Sequence, residues 1–129
     1  MSIRAVVFDI GGVLELTPAT GWEERWAANL ALETGELIHR LEPTWRSGSL
    51  GKISLEEVEE QTAAVLGLEA AAIGNFMDDL WDEYLGTLNH ELALYFATLR
   101  PRCRTGILSN SFVGAREKER ESYDFRGHV

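Results

Sequence analysis

Two short polar clusters contain the residues whose types and spacing could support chemistry. Asp9 ends one apolar run and is followed closely by Gly11 and Gly12. Ser109 and Asn110 end a second, similar run near the other end of the sequence. Short apolar runs of this kind predict buried strands. Because ligands bind at the carboxyl edge of open α/β sheets, the two clusters would meet there if their strands are parallel neighbours.

The residue types in these clusters suit the handling of an anion together with a cation. Backbone N–H groups at the start of a helix favour anions, and we expect such a start after Asn110. Mg²⁺ can bridge a carboxylate and an anion, since it takes hard oxygen ligands and keeps waters. The carboxylate of Asp9 can also act as a covalent nucleophile toward phosphorus. Gly11 and Gly12 allow a sharp turn and a close backbone approach to a ligand.

The periodicity around these clusters predicts strand, several helices, strand and helix, in that order. Strands are expected at about residues 4–9 and 104–109, and a long crossover between them favours a parallel pair. We therefore predict an α/β fold with a partial Rossmann-like core formed by residues 1–16 and 87–129. Residues 17–86 exceed what a crossover needs, and we predict that they form a mostly helical cap.

Local signals predict the helices of this cap and the helices that follow it. Helical spacing starts at Trp22, and Pro43 is expected to end the second helix. Residues 46–52 are expected to form a loop. Ser54 and Glu57 form a capping box at the start of the third helix. A fourth helix is expected from about Glu69 to Leu85, a fifth from about Asn89, and a last, polar helix over about residues 112–122.

The stretch from Val6 to Leu14 resembles the first motif of the haloacid dehalogenase (HAD) superfamily, and the stretch from Gly106 to Asn110 resembles the second. The helical block between them resembles the cap that many members insert, so the likeness extends over essentially the whole chain. It implies a hydrolase, and the glycine variant of the first motif resembles the phosphatase-like branch. A Mg²⁺-dependent phosphatase acting on a small phosphomonoester is the function that this implies.

The resemblance also implies a role for each residue of the two clusters. Asp9 would be the nucleophile that takes up a phosphoryl group. Asp9 and the backbone carbonyl of Gly11 would hold Mg²⁺. Ser109 and the backbone N–H of Asn110 would hold the phosphoryl oxygens, with the turn at Gly11 and Gly12 close to the substrate.

The sequence departs from the family pattern at the position of the proton donor. Family phosphatases usually carry a second Asp two residues after the nucleophile, where this chain has Gly11. Such groups typically contribute about 10²–10⁴-fold in rate. The dehalogenase branch also lacks this Asp, so a 2-haloacid dehalogenase stays open as an alternative.

The family's third motif, a lysine, and its fourth, an acidic pair, have no counterpart that we accept. Lys118 and the pair Asp78-Asp79 are interpreted as parts of solvated helix faces. Two strands alone would leave unpaired sheet edges. The chain is therefore expected to be part of a longer protein or, failing that, to complete its sheet with a second copy. A truncated, non-catalytic binding remnant is the third alternative.

Composition narrows the classes of partner. The net charge of −9 and the pI near 4.8 argue against a nucleic-acid surface. A single cysteine and the lack of a signal-peptide pattern or a bilayer-length apolar run predict a cytoplasmic protein that does not enter a membrane. His39, His90 and His128 are expected at the surface. Most of the tryptophans, at positions 22, 26, 45 and 81, are expected in the core.

Overall fold

The computed structural model describes residues 2–123, where helices predominate over short strands. The elements are β1 (Ala5–Phe8), β2 (Glu15–Leu16), α1 (Trp22–Asn29), α2 (Glu36–Ser49), α3 (Leu55–Leu66), α4 (Ala70–Leu85), β3 (Thr87–Leu88), α5 (His90–Thr98), β4 (Arg104–Ile107) and α6 (Ala115–Tyr123). The chain divides into two compact units. Within the described residues, the sheet unit comprises 2–18, 85–110 and 115–123, and the helical unit comprises 19–84 and 111–114.

A parallel pair of strands forms one of the two small sheets of the sheet unit. β1 pairs with β4 in a register that places Phe8 opposite Ile107. The predicted parallel pairing is confirmed, although both strands are shorter than the predicted ranges 4–9 and 104–109. Together with the helices, this small parallel sheet gives the predicted mixed α/β structure. The described residues do not form a full Rossmann-like core.

The two faces of this small sheet differ sharply in burial. Phe8 stacks on Phe96 of α5 with ring centroids 4.0 Å apart, and both contribute to a core around Ile10 and Leu14. Val7, which points the other way because side chains alternate along a strand, is 60% exposed. One face of β1 is therefore covered by the core and the other is open.

A second pair of strands, β2 and β3, was not predicted from the sequence. The two strands are antiparallel, with Glu15 opposite Leu88 and Leu16 opposite Thr87. Gly86 precedes β3 with a φ of 56°, and a Cβ there would lie 2.0 Å from the carbonyl oxygen of Leu16. Only glycine fits this approach, so Gly86 allows the two strands to meet.

In the helical unit, one local start signal is confirmed and one stop signal was wrong. The Ser54–Glu57 capping box at the start of α3 is confirmed, with both reciprocal hydrogen bonds present. The expected stop at Pro43 was wrong, since α2 continues through it to Ser49. The packing of Leu41 and Thr44, both buried, outweighs the hydrogen bond that proline cannot make.

Aromatic rings form the centre of the helical unit. The ring of Phe76 meets Trp22 and Trp26 edge-on, at centroid distances of 5.3 and 5.2 Å. The carboxylate of Glu83 accepts a hydrogen bond from Trp22 Nε1 at 2.6 Å. Trp22 and Trp81 are buried, and the other two tryptophans are half-buried. The expectation that most tryptophans serve packing is confirmed.

Candidate active site

The two polar clusters emerge from neighbouring strands at the same end of the sheet. Beyond the paired residues Phe8 and Ile107, the N–H of Leu108 still donates to the carbonyl of Phe8 at 3.1 Å. Asp9 follows Phe8 directly, and Ser109 follows Leu108. Since the strands are parallel, the structure brings Asp9 and Ser109 to the carboxyl edge together.

A tight turn fixes the backbone immediately after Asp9. The carbonyl of Ile10 accepts hydrogen bonds from the N–H groups of Val13 and Glu15, at 3.0 and 2.9 Å. Gly12 has a φ of 73°, which is unfavourable for a residue with a side chain. The Oδ1 atom of Asp9 accepts from the N–H of Ile10 at 2.7 Å, which orients the carboxylate at the start of the turn.

Asn89 connects this turn to the start of α5. Its backbone N–H donates to the carbonyl of Leu14 at 2.8 Å, and its side-chain amide donates to the carbonyl of Val13 at 3.2 Å. Its Oδ1 atom caps α5 by accepting from the N–H of Leu92. The predicted start of the fifth helix is confirmed, and the same residue positions the segment that follows the candidate nucleophile.

Solvent can reach most of the candidate residues. Asp9, Gly11, Gly12 and Asn110 are exposed, and Ser109 is half-buried. A Cβ added to Gly11 or Gly12 would meet no atom within 4 Å. The space next to the glycine turn is therefore open, and a small ligand can approach the Asp9 carboxylate from there.

The residues of this edge are compatible with Mg²⁺ if a ligand supplies further oxygens. The protein offers one carboxylate, on Asp9, and backbone carbonyls of the turn. Among the described residues no group of three or more His, Cys, Asp or Glu side chains could hold a metal ion. Mg²⁺ in proteins is often bound through one or two carboxylates with waters and substrate phosphates, so this small donor set fits such a site.

The last helix begins later than the sequence predicted. α6 starts at Ala115, and residues 111–114 separate it from Asn110. In that segment the N–H of Phe112 donates to the hydroxyl of Tyr84 at 3.1 Å, and the N–H of Val113 donates to the carbonyl of Gly48 at 3.3 Å. These four residues pack in the helical unit. The helix predicted from about residue 112 therefore begins three residues later than expected.

Sequence reasoning missed a buried pair of acidic residues in the sheet unit. Glu15 on β2 and Glu119 on α6 are only 2% and 5% exposed. Burial, together with the charge of Glu119 and a hydrogen bond to it, raises the pKa of Glu15 to about 8. Burial also raises the pKa of Glu119. Glu119 directly follows Lys118, which was interpreted as part of a solvated helix face, so the sequence pattern gave no sign that Glu119 is buried.

The other polar residues singled out in the sequence belong to other elements or lie outside the described residues. His39 and His90 are exposed as expected, and His128 lies outside the described residues. Asp78 is exposed, but Asp79 is half-buried and accepts a hydrogen bond from Trp26 Nε1 at 2.8 Å. Asp79 therefore has a packing role in the helical unit, which differs from the solvated face expected for it.

In comparisons with known proteins, no family model and no curated protein matches this chain. Within residues 2–123, none of the helices is both long enough and apolar enough to cross a bilayer.

Proposed function

We propose that this chain carries the nucleophile and phosphate-binding part of a HAD-like, Mg²⁺-dependent phosphatase for small phosphomonoesters. The observation that supports the proposal is the common sheet edge: Asp9 and the Ser109-Asn110 pair leave adjacent parallel strands at the same end. A carboxylate placed there beside a hydroxyl and backbone N–H groups provides a nucleophile and anion ligands in one location.

In the proposed reaction Asp9 acts as a covalent nucleophile. A carboxylate oxygen of Asp9 forms a bond to phosphorus while the ester oxygen departs with the electron pair of the broken P–O bond. The Ser109 hydroxyl and the Asn110 N–H donate hydrogen bonds to the phosphoryl oxygens and position them. Water then attacks the phosphorus of the aspartyl phosphate, which releases inorganic phosphate and restores the Asp9 carboxylate.

Mg²⁺, when bound through Asp9 and the Gly11 carbonyl, would neutralise the negative charge that otherwise keeps the carboxylate and the phosphate apart. The turn that Ile10 closes holds the Asp9 carboxylate in a fixed orientation, which lowers the entropic cost of the attack. Gly11 supplies no side chain to protonate the leaving oxygen, so water has to provide that proton in this chain.

Carbon–halogen displacement is a second candidate, and the glycine at position 11 favours it. A halide leaves as a stable anion and needs no proton, so the missing acid would cost nothing in that reaction. Asp9 would attack the carbon that bears the halogen, and water would hydrolyse the resulting ester. This reaction requires no metal ion.

Turnover assays with two substrates distinguish these proposals. The purified chain is incubated with p-nitrophenyl phosphate and Mg²⁺, and separately with 2-chloropropionate. Release of nitrophenol that EDTA abolishes and that Asp9→Asn lowers at least about 10³-fold would support the phosphatase. Halide release that EDTA does not alter would support the dehalogenase.

A matched control separates loss of the nucleophile from loss of the fold. Asp78→Asn removes one exposed carboxylate of the helical unit and should leave both activities unchanged. Circular dichroism and unfolding by urea should be the same for the Asp9 and Asp78 variants. If neither substrate is turned over by the folded wild-type chain, both enzymatic proposals fail and the binding remnant remains.

A further inference from the structure

A short segment between the second polar cluster and the last described helix packs in the helical unit. Residues 111–114, which we call the docked segment, belong to that unit, whereas the residues directly before and after them belong to the sheet unit. The last three residues of the docked segment are half-buried. The chain that leaves Ser109 and Asn110, the candidate phosphate ligands, therefore enters packed surroundings at Phe112, only two residues later.

Two hydrogen bonds hold the backbone of the docked segment. The N–H of Phe112 donates to the hydroxyl of Tyr84 on α4 at 3.1 Å. The N–H of Val113 donates to the carbonyl of Gly48 on α2 at 3.3 Å. Because consecutive residues are bonded to two different helices, the docked segment has a defined position within the helical unit.

Glycine residues provide the space that the docked segment needs. A Cβ on Gly48 would lie 2.7 Å from the Cζ atom of the Phe112 ring. Gly114 has a φ of 84°, and a Cβ there would lie 2.7 Å from the Cδ2 atom of Leu55. The Phe112 ring also lies edge-on to Trp81, with ring centroids 6.3 Å apart. Glycine inside a helix is less favourable than alanine, so the presence of Gly48 in α2 is explained by the packing of Phe112 against it.

We propose that the docked segment positions Ser109 and Asn110 for the binding of a phosphoryl group. Tyr84 and Gly48 are then positioning residues, because they hold Phe112 in place. Two peptide bonds join Asn110 to Phe112, so a fixed Phe112 N–H limits the conformations open to the Asn110 N–H. Ligands that are already ordered lose less conformational entropy on binding, which raises their affinity for phosphate. The proposal rests on the phosphate-binding role proposed for this pair.

Gly48→Ala displaces the docked segment by adding one methyl group. The methyl collides with the Phe112 ring, so the affinity of the folded chain for inorganic phosphate should fall by at least about tenfold, as it does when binding groups are misplaced. Isothermal titration calorimetry with inorganic phosphate and Mg²⁺ measures this affinity. Gly74→Ala in α4 is the matched control, because a Cβ on this helical glycine would meet no atom within 4 Å. Phosphate affinity that is the same in both variants would overturn the proposal.

Removal of the Phe112 ring separates this collision from a general loss of stability. Phe112→Ala should itself weaken phosphate binding, because the docked segment loses its contacts with α2 and Trp81. In that background Gly48→Ala should cause no further loss, since the ring atoms with which its methyl collides are gone. Losses of affinity that simply multiply in the double variant would overturn the proposal.

Tyr84→Phe tests the hydrogen bond without adding or removing bulk in the packing. It removes the acceptor of the Phe112 N–H and keeps the aromatic ring, so phosphate affinity should fall by about fivefold, the equivalent of one neutral hydrogen bond. The KM for p-nitrophenyl phosphate should rise by the same factor while kcat changes little, because the phosphoryl oxygens are held in the ground state and the transition state alike. Asp82→Asn, exposed on the same helix, should leave both constants unchanged. A fall in kcat without a rise in KM would overturn the proposal.

The wild-type chain distinguishes a failure of the positioning role from a failure of the proposed function. If the folded wild-type chain binds no phosphate, the phosphate-binding role fails and the positioning role is overturned with it. If the wild-type chain binds phosphate and hydrolyses the ester, but Gly48→Ala and Tyr84→Phe bind phosphate equally well, the proposed function stands and only the positioning role is overturned.

Discussion

At the scale of single residues, Gly11 is where the candidate site offers the most informative change. Gly11→Asp would place a carboxyl group two residues after Asp9, the proposed nucleophile, where HAD phosphatases usually carry their acid. The space is open, since no atom lies within 4 Å of a Cβ at this position. If the phosphatase proposal holds, the variant should raise kcat/KM for alkyl phosphates by about 10²-fold, the low end of general acid catalysis.

The gain should depend on how much the leaving group needs a proton. p-Nitrophenyl phosphate, whose leaving group is already a weak base, should gain little from Gly11→Asp, while an alkyl ester should gain most. Gly11→Asn is the matched control, because it has the same shape and cannot act as an acid. An equal gain with the Asn variant would show that the effect is not proton transfer.

The sequence predicted the residues of the two clusters better than it predicted their surroundings. Asp9 and Ser109 end apolar runs, and a charge or hydroxyl at that point signals a strand edge without any knowledge of tertiary contacts. Glu15 and Glu119 give no such signal, because their burial depends on the packing of β2 against α6. A contact between distant residues that lacks a local pattern can be found only in the folded structure.

At the scale of elements, Pro43 inside α2 is the residue that most clearly lowers the stability of its own helix. Proline lacks the N–H that would donate to the carbonyl of His39 four residues earlier, and its ring crowds the preceding turn. Pro43→Ala should therefore stabilise the chain by about 1–2 kcal/mol, which is the helix penalty reduced by the greater freedom of the unfolded chain. The urea midpoint of unfolding, at an unchanged m-value, measures this gain.

A proline outside the helices provides the control for this prediction. Pro18 lies between β2 and α1, where its ring restricts the unfolded chain without breaking a helix. Pro18→Ala should leave the stability unchanged or lower it slightly. If Pro43→Ala also lowers the urea midpoint, then the proline ring contributes more packing in α2 than it costs in hydrogen bonding.

Helices α2 and α3 together show why element boundaries were harder to predict than element types. The capping signal at Ser54 acts through neighbours in sequence, and α3 begins where this signal predicts. The end of α2 depends on the burial of Leu41 and Thr44, a tertiary effect that exceeds a local preference. The strands β2 and β3 contain two residues each, too few for periodicity to reveal.

At the scale of the whole molecule, the acidic balance of the chain has a measurable effect. The net charge is −9 at pH 7, and the excess acidic groups repel one another more strongly in the folded chain than in the expanded, unfolded chain. Raising NaCl from 20 to 300 mM should therefore stabilise the fold by about 1 kcal/mol, seen as a rise in Tm of roughly 3–5 °C. Near pH 4.8, where the net charge vanishes, the same addition of salt should change Tm much less.

The parallel pairing of β1 with β4 has a consequence for the order in which the chain acquires structure during synthesis. Val7 pairs with Gly106, so nearly all of the described chain must be made before β1 finds its partner. Helices α1 to α4 are consecutive in sequence and can associate earlier, because local contacts form faster than distant ones. Until β4 leaves the ribosome, β1 is an apolar segment without this partner, the kind of segment that chaperones protect.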